Sequence, residues 1–322
     1  MGEPLLVVKN LKKYFPTKAG MLHAVDDVTF TIDEGKTLGV VGESGCGKST
    51  LGKTILRLIE PTGGEITLDG VSINDLSKSQ LKKARLNMQM IFQDPYSSLD
   101  PRMSVGELIA DPLIVNRVMS SKADISKKVD ELMDTVGLAA RLKDAYPHEL
   151  DGGRRQRIGI ARALALNPGF VVCDEPVSAL DVSIQAQILN LMQDLQEDKG
   201  LTYMFITHDL SVVKHISNNI LVMYLGQLVE TCESDELFEH TLHPYTKALL
   251  SAIPTTDIDN RKQRILMQGE LSSPINPAPG CRFAPRCRYA EERCKMENPV
   301  IEEVLPGHFV ACHRVREIND IQ

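Results

Sequence analysis

The stretch GESGCGKST, residues 42–50, sets the architecture of this chain. Its first eight residues fit G-x-x-x-x-G-K-[ST], the P-loop pattern of proteins that bind nucleoside triphosphates. A short apolar run of β type, residues 37–41, precedes it, and Leu51, Ile55 and Leu58 recur at helical spacing after it. A strand, a glycine-rich turn and a helix form the context that the motif requires. The sequence therefore predicts a phosphate-binding turn in an α/β fold.

The residues of this turn have separate roles in binding phosphate. Its glycines let backbone N–H groups curl around phosphate oxygens, and the helix N-terminus adds partial positive charge. Lys48 brings a positive charge to the β- and γ-phosphates, and the hydroxyl of Ser49 can bind Mg²⁺. We predict that nucleotide is bound by Gly42, Ser44, Gly45, Cys46, Gly47, Lys48, Ser49 and Thr50.

Length and composition limit the class of protein. A chain of 322 residues suits one α/β domain plus an appendix, and a net charge of −7 gives no sign of a nucleic-acid partner. Membrane spans need about 18–20 consecutive apolar residues, and we expect none here. We also expect no signal peptide. These expectations place the chain in the cytoplasm, where its seven cysteines would be reduced.

Periodicity and composition divide the chain. Strands are predicted at residues 4–10, 26–32, 65–68, 88–92, 169–173 and 202–207, with a small hairpin at 220–230. Val129, Leu132, Met133 and Val136 predict an amphipathic helix within a helical insertion at about 100–160. Prolines become frequent after Pro254. We therefore predict one nucleotide-binding domain at 1–255 and a small Cys-rich extension at 256–322.

A second motif completes an ATP-hydrolysing set. The apolar run 170–173 ends in Asp174 and Glu175. An acid at the tip of such a strand can hold Mg²⁺, and the next acid can orient or deprotonate the attacking water. The pair predicts metal binding by Asp174 and general base catalysis by Glu175.

Between these motifs, LDGGR at residues 150–154 resembles the LSGGQ signature of the ATP-binding cassette (ABC) ATPases. The resemblance covers about residues 5–250. It implies a RecA-like P-loop core with an antiparallel β subdomain and a helical insertion. It also implies that Gln93 contacts Mg²⁺ and water, that His208 contacts the γ-phosphate, and that Phe15 stacks on adenine, with Tyr14 as the alternative. Residues 178–181, SALD, resemble the D-loop of the family.

The signature departs from the family at two positions. In the family two cassettes dimerise head to tail, and each ATP lies between one P-loop and the partner's signature, here Asp151, Gly152, Gly153 and Arg154. Asp151 replaces a serine that donates to the γ-phosphate, and a carboxylate close to phosphate repels it by up to ~4 kcal/mol at ~4 Å and an effective dielectric of ~20. Arg154, in place of glutamine, can offset this repulsion. We predict a heterodimer with unequal sites; the alternative is a tolerated variant with two working sites.

Four cysteines cluster in the C-terminal extension at Cys281, Cys287, Cys294 and Cys312. Their wide spacings fit neither the C-x₂₋₄-C pairs of zinc sites nor the compact ferredoxin run, although four thiolates suit a cubane cluster. HPYTKALL at 243–250 and GCRFAPRC at 280–287 resemble the oligopeptide/dipeptide/nickel branch of ABC importers. That resemblance implies a 4Fe–4S cluster; zinc and no metal are the alternatives. Since the cluster lies in a separate predicted domain, we expect nucleotide binding not to depend on it.

The resemblance implies the ATPase subunit of a di- or oligopeptide importer at the cytoplasmic face of the membrane. Its expected partners are a second ATPase subunit, two transmembrane permeases and an extracellular or periplasmic peptide-binding protein. Alternatives are an importer of nickel or a metal chelate, a regulatory partner with little turnover, and a soluble ABC ATPase of DNA repair or translation. Proteins of this last class usually carry two cassettes or a coiled-coil insertion.

Overall fold

The computed structural model describes residues 4–94, 96, 98–253, 264–267, 269 and 273–321. The predicted boundary at 255/256 lies outside these residues. The described chain divides into two compact units. Unit 1 comprises residues 1–33, 37–74 and 207–322, and unit 2 comprises residues 34–36 and 75–206.

The elements are numbered in chain order. The strands are β1 (Leu6–Thr17), β2 (Gly20–Ile32), β3 (Thr37–Val41), β4 (Gly63–Leu68), β5 (Val71–Ser72), β6 (Met88–Ile91), β7 (Phe170–Asp174), β8 (Thr202–Ile206), β9 (Asn219–Tyr224), β10 (Gln227–Glu233), β11 (Glu302–Leu305) and β12 (His308–Val310). The helices are α1 (Lys48–Ile55), α2 (Lys78–Ala84), α3 (Val105–Val115), α4 (Lys122–Thr135), α5 (Gly152–Leu164), α6 (Val182–Lys199), α7 (Leu210–Ile216), α8 (Ser234–Glu239), α9 (Pro244–Ser251), α10 (Glu292–Met296) and α11 (Val315–Ile318).

Unit 1 contains an antiparallel sheet of four strands in the order β2-β1-β4-β5. β1 is its centre, because Leu6 pairs with Ile32 on one side and with Leu68 on the other. The apolar residues Leu6, Val8 and Leu11 on β1 are fully buried. The predicted antiparallel subdomain is therefore present, with longer first strands than the predicted runs 4–10 and 26–32.

A second set of strands in unit 1 has the order β11-β12-β10-β9-β3. β3, which leads into the P-loop, pairs in parallel with β9, and the predicted hairpin joins β9 to β10. β12 then pairs with β10, with Glu230 opposite Val310. The C-terminal segment therefore extends this sheet, and Phe283 packs in the same buried cluster as Val41, Val222 and Tyr245.

Unit 2 contains the parallel strands β8-β7-β6 and the predicted helical insertion. β7 is buried along its whole length, as expected for the centre of a parallel sheet. In the insertion, α4 buries Val129, Leu132 and Met133 on one face, as its periodicity predicts. α3 begins with a capping box in which Ser104 and Glu107 bind each other's backbone N–H groups.

Candidate functional site

The P-loop of unit 1 leads from β3 to α1. Gly47 is the N-cap of α1 with φ of 105°, a left-handed conformation that suits glycine. A Cβ at Gly47 would lie 2.0 Å from the carbonyl oxygen of Ala24. Sterics therefore require glycine here, and the first-turn N–H groups of α1 stay without a side-chain cap from its N-cap residue.

Lys48 is buried at the start of α1. Its Nζ donates to the carbonyl oxygens of Gly42, at 2.7 Å, and Glu43, at 3.1 Å. The cation therefore lies inside the loop that the motif predicts will hold phosphate. The Sγ atom of Cys46 lies 3.8 Å from Lys48 Nζ. The thiol is buried, and burial raises its pKa. The remaining predicted P-loop residues, Ser44, Gly45, Ser49 and Thr50, follow the same turn into the helix.

The two aromatic candidates for adenine stacking differ in their surroundings. Tyr14 stacks on His23 with ring centroids 3.9 Å apart, and its hydroxyl donates to Asp26. Burial raises the pKa of Tyr14. Phe15 is half-buried, with Lys13 Nζ 4.7 Å from its ring centroid. Of the two, Tyr14 already has a stacking partner within unit 1.

His208 also lies in unit 1, in the turn that precedes α7. The flanking backbone is fixed on both sides. Thr207 N–H donates to Val40 O at 3.1 Å, next to the end of β3, and Asp209 caps α7 by accepting from the N–H of Ser211. These bonds fix the backbone on both sides of the exposed His208, and one of them joins it to the P-loop strand.

The tip of β7 in unit 2 brings two predicted catalytic residues together. Asp174 is the buried last residue of the strand. Glu175 follows with φ of 47°, which is uncommon for a residue other than glycine and marks local strain. Gln93 Nε2 donates to Glu175 Oε2 at 2.9 Å, and Glu175 N–H donates to Ile206 O at 2.9 Å. The backbone of Glu175 is therefore fixed by Ile206, and its carboxylate is held by the predicted Q-loop glutamine.

The signature of unit 2 forms the N-terminus of α5. Asp151 is the N-cap and accepts from the N–H of Arg154 at 2.8 Å. The two side chains also form an ion pair, with Arg154 Nη1 3.2 Å from Asp151 Oδ2. Gly152 and Gly153 lie against Leu180 and Ile184, so added side chains would meet them. The two departures from LSGGQ therefore contact each other.

Arg155, the residue after the signature, is held by contacts that the sequence did not predict. Its guanidinium carbon lies 3.6 Å from the ring centroid of Tyr96, and its Nε donates to Pro147 O at 2.5 Å. Arg155 is almost fully buried. An arginine beside a signature motif gave no signal in the sequence, because its partners come from separate segments of unit 2.

The cysteines of the C-terminal extension line one cavity of unit 1, together with His243 and Phe283. These cysteines are Cys281, Cys287, Cys294 and Cys312. The N–H of Cys281 donates to the carbonyl of Cys294 at 2.7 Å. Burial raises the pKa of the Cys281 thiol to about 11 and that of Cys312 to about 12.

The thiols share a cavity without forming a recognisable metal site. Across the described parts of the chain, no group of three or more His, Cys, Asp or Glu side chains has the arrangement of a metal site. The donor chemistry nevertheless fits a soft metal or an iron–sulfur cluster, because thiolates are the ligands that these prefer. Among the same residues, no helix is long and apolar enough to cross a membrane.

Comparison with known proteins gives two family matches. Residues 25–178 match "ABC transporter", and residues 229–294 match "Oligopeptide/dipeptide transporter, C-terminal region". The putative oligopeptide transport ATP-binding protein YkfD of Bacillus subtilis is 52% identical over 97% of this chain and 96% of its own length. The dipeptide transport ATP-binding protein DppF of Haemophilus influenzae is 49% identical over 97% of both chains.

A solved structure supports the fold assignment. The ATP-binding cassette MJ0796, in a dimeric post-hydrolysis state bound to ADP and phosphate, is 32% identical with a TM-score of 0.66. The match covers 71% of this chain and 98% of that one. The fold is thus the α/β P-loop cassette that the sequence predicts. From its sequence relatives and its fold, this chain belongs to the ABC transporter ATPases, in the group that carries the oligopeptide/dipeptide transporter C-terminal region.

Proposed function

We propose that this chain hydrolyses ATP to power the import of dipeptides or oligopeptides. The observation that carries the proposal is the 52% identity to an oligopeptide transport ATP-binding protein across 97% of the chain. The match of residues 229–294 to the transporter C-terminal region supports the same substrate class, because it lies outside the general ABC match. An importer of nickel or a metal chelate is the alternative, and peptide-stimulated ATPase activity of the assembled transporter distinguishes the two.

The P-loop would bind the phosphates of ATP. Backbone N–H groups at the start of α1 and the Lys48 ammonium group face the β- and γ-phosphates in this proposal. Ser49, Gln93 and Asp174 would hold Mg²⁺, which neutralises charge on the β- and γ-phosphates when bound. Phe15 would stack on adenine. The engaged ring of Tyr14 supports Phe15 over Tyr14 for this role.

Hydrolysis would use Glu175 as the general base. Its carboxylate accepts a proton from water as the water oxygen bonds to the γ-phosphorus and the bond to the bridging oxygen of ADP breaks. The hydrogen bond from Gln93 supports this role, because it fixes the direction of one carboxylate oxygen. His208 would contact the γ-phosphate.

The signature would face the nucleotide of a second ATPase subunit. In this proposal Asp151, Gly152, Gly153 and Arg154 complete the partner's site, and the Asp151–Arg154 ion pair supports unequal sites. The ion pair uses part of the Arg154 guanidinium to neutralise Asp151, so less of its charge is left for phosphate. We propose a heterodimer in which the site on the partner's P-loop turns over more slowly.

The chain would act at the cytoplasmic face of the membrane with two permease subunits and a peptide-binding protein outside the cell. Its relatives are ATP-binding proteins of peptide transport by name, which supports this assembly. The helical insertion of unit 2, from α3 to α5, would contact the permeases.

The four cysteines would hold a 4Fe–4S cluster, with zinc as the alternative. Their common cavity supports this proposal. Chain purified without air should be brown, with broad absorption near ~400 nm and about four iron atoms per chain. Cys281→Ser should lose the iron, whereas Cys232→Ser, which removes a buried thiol outside the cavity, should retain it. Stoichiometric zinc would favour the alternative, and metal-free protein with an ordered C-terminal segment would exclude both.

Glu175→Gln tests the catalytic proposal. The amide keeps the shape of the side chain but accepts no proton, so turnover of the assembled complex should fall by about 10²-fold or more. Binding of MgATP should be retained. Wild-type turnover in this variant would favour a regulatory subunit that binds ATP without hydrolysing it.

A further inference from the structure

Residues 281–287, which join the first two cysteines, send an arginine to the P-loop. Arg286 and Glu43 form a forked ion pair, with Nη1–Oε2 at 2.7 Å and Nη2–Oε1 at 3.2 Å. Only 11% of the Arg286 side chain and 25% of the Glu43 side chain are exposed. Glu43 is the second residue of the P-loop motif, and its carbonyl accepts from Lys48. The cysteine segment thus reaches a residue that directly contacts the P-loop lysine.

Glu43 is held by its backbone as well as by its side chain. Its N–H donates to the hydroxyl of Tyr245 at 2.9 Å. Tyr245 packs edge-on against Tyr224, with ring centroids 4.7 Å apart. Both rings also pack against Phe283 of the cysteine segment, with centroid distances of 5.3–5.4 Å. The backbone and the carboxylate of Glu43 are therefore both fixed by residues that pack with or belong to the cysteine segment.

A second arginine of the same segment reaches the hairpin that carries Phe15. Arg282 forms an ion pair with Asp26 and donates to the carbonyl of Leu225. Asp26 in turn accepts from Tyr14, the neighbour of Phe15 on β1. The segment is therefore attached at two points, at Glu43 of the P-loop and at Asp26 of β2.

We propose that Arg286 is a positioning residue that fixes the P-loop through Glu43, so that the folded cysteine segment tightens the binding of MgATP. The proposal rests on the proposed ATPase function. Glu43 lies between Gly42 and Gly45 of the phosphate-binding turn. A forked ion pair restrains it in two directions, whereas a single bond would leave it free to rotate. Loosening residues 281–287 therefore frees Glu43 and lets the loop depart from its binding conformation. This coupling is the opposite of the expectation that nucleotide binding does not depend on the cysteine segment.

Coupling of this kind is reciprocal. If the cysteine segment raises the affinity of the P-loop for MgATP by some factor, MgATP stabilises the cysteine segment by the same factor. A residue that merely supports the fold would weaken both the P-loop and the cysteine segment without linking them. Reciprocity therefore provides a measurement that separates positioning from general stability.

Arg286→Gln is the main variant, and Arg293→Gln is its matched control. Each arginine directly precedes a cysteine, but Arg293 is 59% exposed and pairs with Glu297 on the surface. In full-length chain, Arg286→Gln should weaken the binding of Mg²⁺ with a slowly hydrolysed ATP analogue by about 5- to 20-fold, within the usual range of coupling. Arg293→Gln should change it by less than about twofold, since exposed pairs contribute little.

Two further variants separate the ion pair from a folding defect. Arg286→Lys keeps the charge but lacks the fork, so its affinity should be intermediate. Glu43→Gln combined with Arg286→Gln should bind no more weakly than the worse single variant, because both remove the same contact. Losses that multiply in the double variant would overturn the proposal.

Hydrogen exchange gives the reciprocal readout. In the wild type, the nucleotide analogue should slow amide exchange across residues 281–294, including the Cys281 N–H that donates to Cys294. In Arg286→Gln at saturating analogue, this protection should be lost. A wild-type chain that binds no nucleotide would refute the proposed function. A chain that binds it equally with and without Arg286, or protects the segment in both cases, would refute the coupling alone.

Discussion

Two helices of this chain begin at glycine-containing turns, and their N-termini differ in what they offer an anion. α1 begins after Gly47, which has no side chain to cap the helix and is held left-handed against Ala24. α5 begins after Asp151, whose carboxylate accepts from the N–H of Arg154 and pairs with its guanidinium. The N-cap of α1 places no side-chain anion at the helix N-terminus, whereas the N-cap of α5 does.

The difference shows that a glycine-rich turn before a helix does not by itself make a phosphate site. The helix N-terminus attracts anions because its N–H groups lack partners within the helix. An aspartate N-cap uses one of these groups and places negative charge where a phosphate oxygen would come. The chain is therefore suited to hold phosphate at α1 and less suited to hold it at α5.

The largest expected effect comes from removing the cation at α1. Lys48→Ala should lower hydrolysis by the assembled transporter by about 10³-fold, because Lys48 belongs to the site that we propose is competent. The corresponding lysine in the second ATPase subunit should matter less, and replacing it should leave most of the activity, because the partner's site contributes little. Steady-state phosphate release from each complex provides the measurement. Equal losses would mean that both sites work and that the capped α5 is no handicap.

Gly47→Ala should weaken nucleotide binding by more than about 10²-fold. The new Cβ would meet the backbone oxygen of Ala24 and must displace it, in addition to the cost of about 1–2 kcal/mol for a left-handed alanine. Gly45→Ala is the matched control. Its φ is also positive, at 79°, but a Cβ there meets nothing within 4 Å. If calorimetry gives the two variants equal affinities, the close approach at Gly47 has no bearing on the site.

The N-cap of a third helix, α9, is His243, which accepts a hydrogen bond through a neutral imidazole nitrogen. His243 caps α9, with Nδ1 accepting from the N–H of Tyr245 at 3.1 Å, and burial lowers its pKa to about 4. The unfolded chain takes up a proton near pH 6.5 and the folded chain does not until about pH 4, so stability falls as pH falls through this window. At pH 5 the loss should be about 2 kcal/mol relative to pH 7.5.

His243→Asn isolates this contribution, because asparagine also caps a helix and does not titrate. Urea unfolding of both proteins at pH 7.5 and pH 5 should show a smaller loss in the variant. An identical pH dependence would assign the effect to groups other than His243.

The smallest effect is expected at Asp151. Asp151→Asn keeps the capping acceptor and removes the charge, so hydrolysis at the partner's site should rise by about three- to tenfold. Asp151 is 58% exposed, and solvent therefore screens much of the repulsion. Asp124→Asn, at the exposed start of α4, controls for the change in net charge. No increase in the assembled complex would mean that Arg154 already compensates fully for Asp151.

Local motifs made the P-loop, the tip of β7 and the signature predictable. Lys48, Glu175 and Asp151 each lie in a segment whose neighbours in sequence are also its neighbours in space. The hydrophobic patterns of β7 and α4 were sufficient to predict these two elements for the same reason. The hydrogen bond from Gln93 to Glu175 joins two such segments in unit 2. The sequence predicted that both residues serve the ATP site, but it did not predict this bond.

Contacts between distant segments could not be predicted. Arg286 meets Glu43 across 243 residues, and neither residue carries a pattern that selects the other. Two short strands, β11 and β12, were not predicted in this proline-rich region. β12 forms because β10 offers it a backbone edge, which is a tertiary cause that a local reading of the sequence does not contain.

The pairing of β12 with β10 also affects how the chain matures. Val310 is made 80 residues after its partner Glu230 (310 − 230), which is about 4–16 s of synthesis at usual rates. During that interval β10 presents an open edge, the kind of surface on which chains aggregate. β12 then covers it, and the buried His308 of that strand bonds Glu230 at 2.8 Å. The late-made strand acts as a protective cover, and chains cut before His308 should associate through β10.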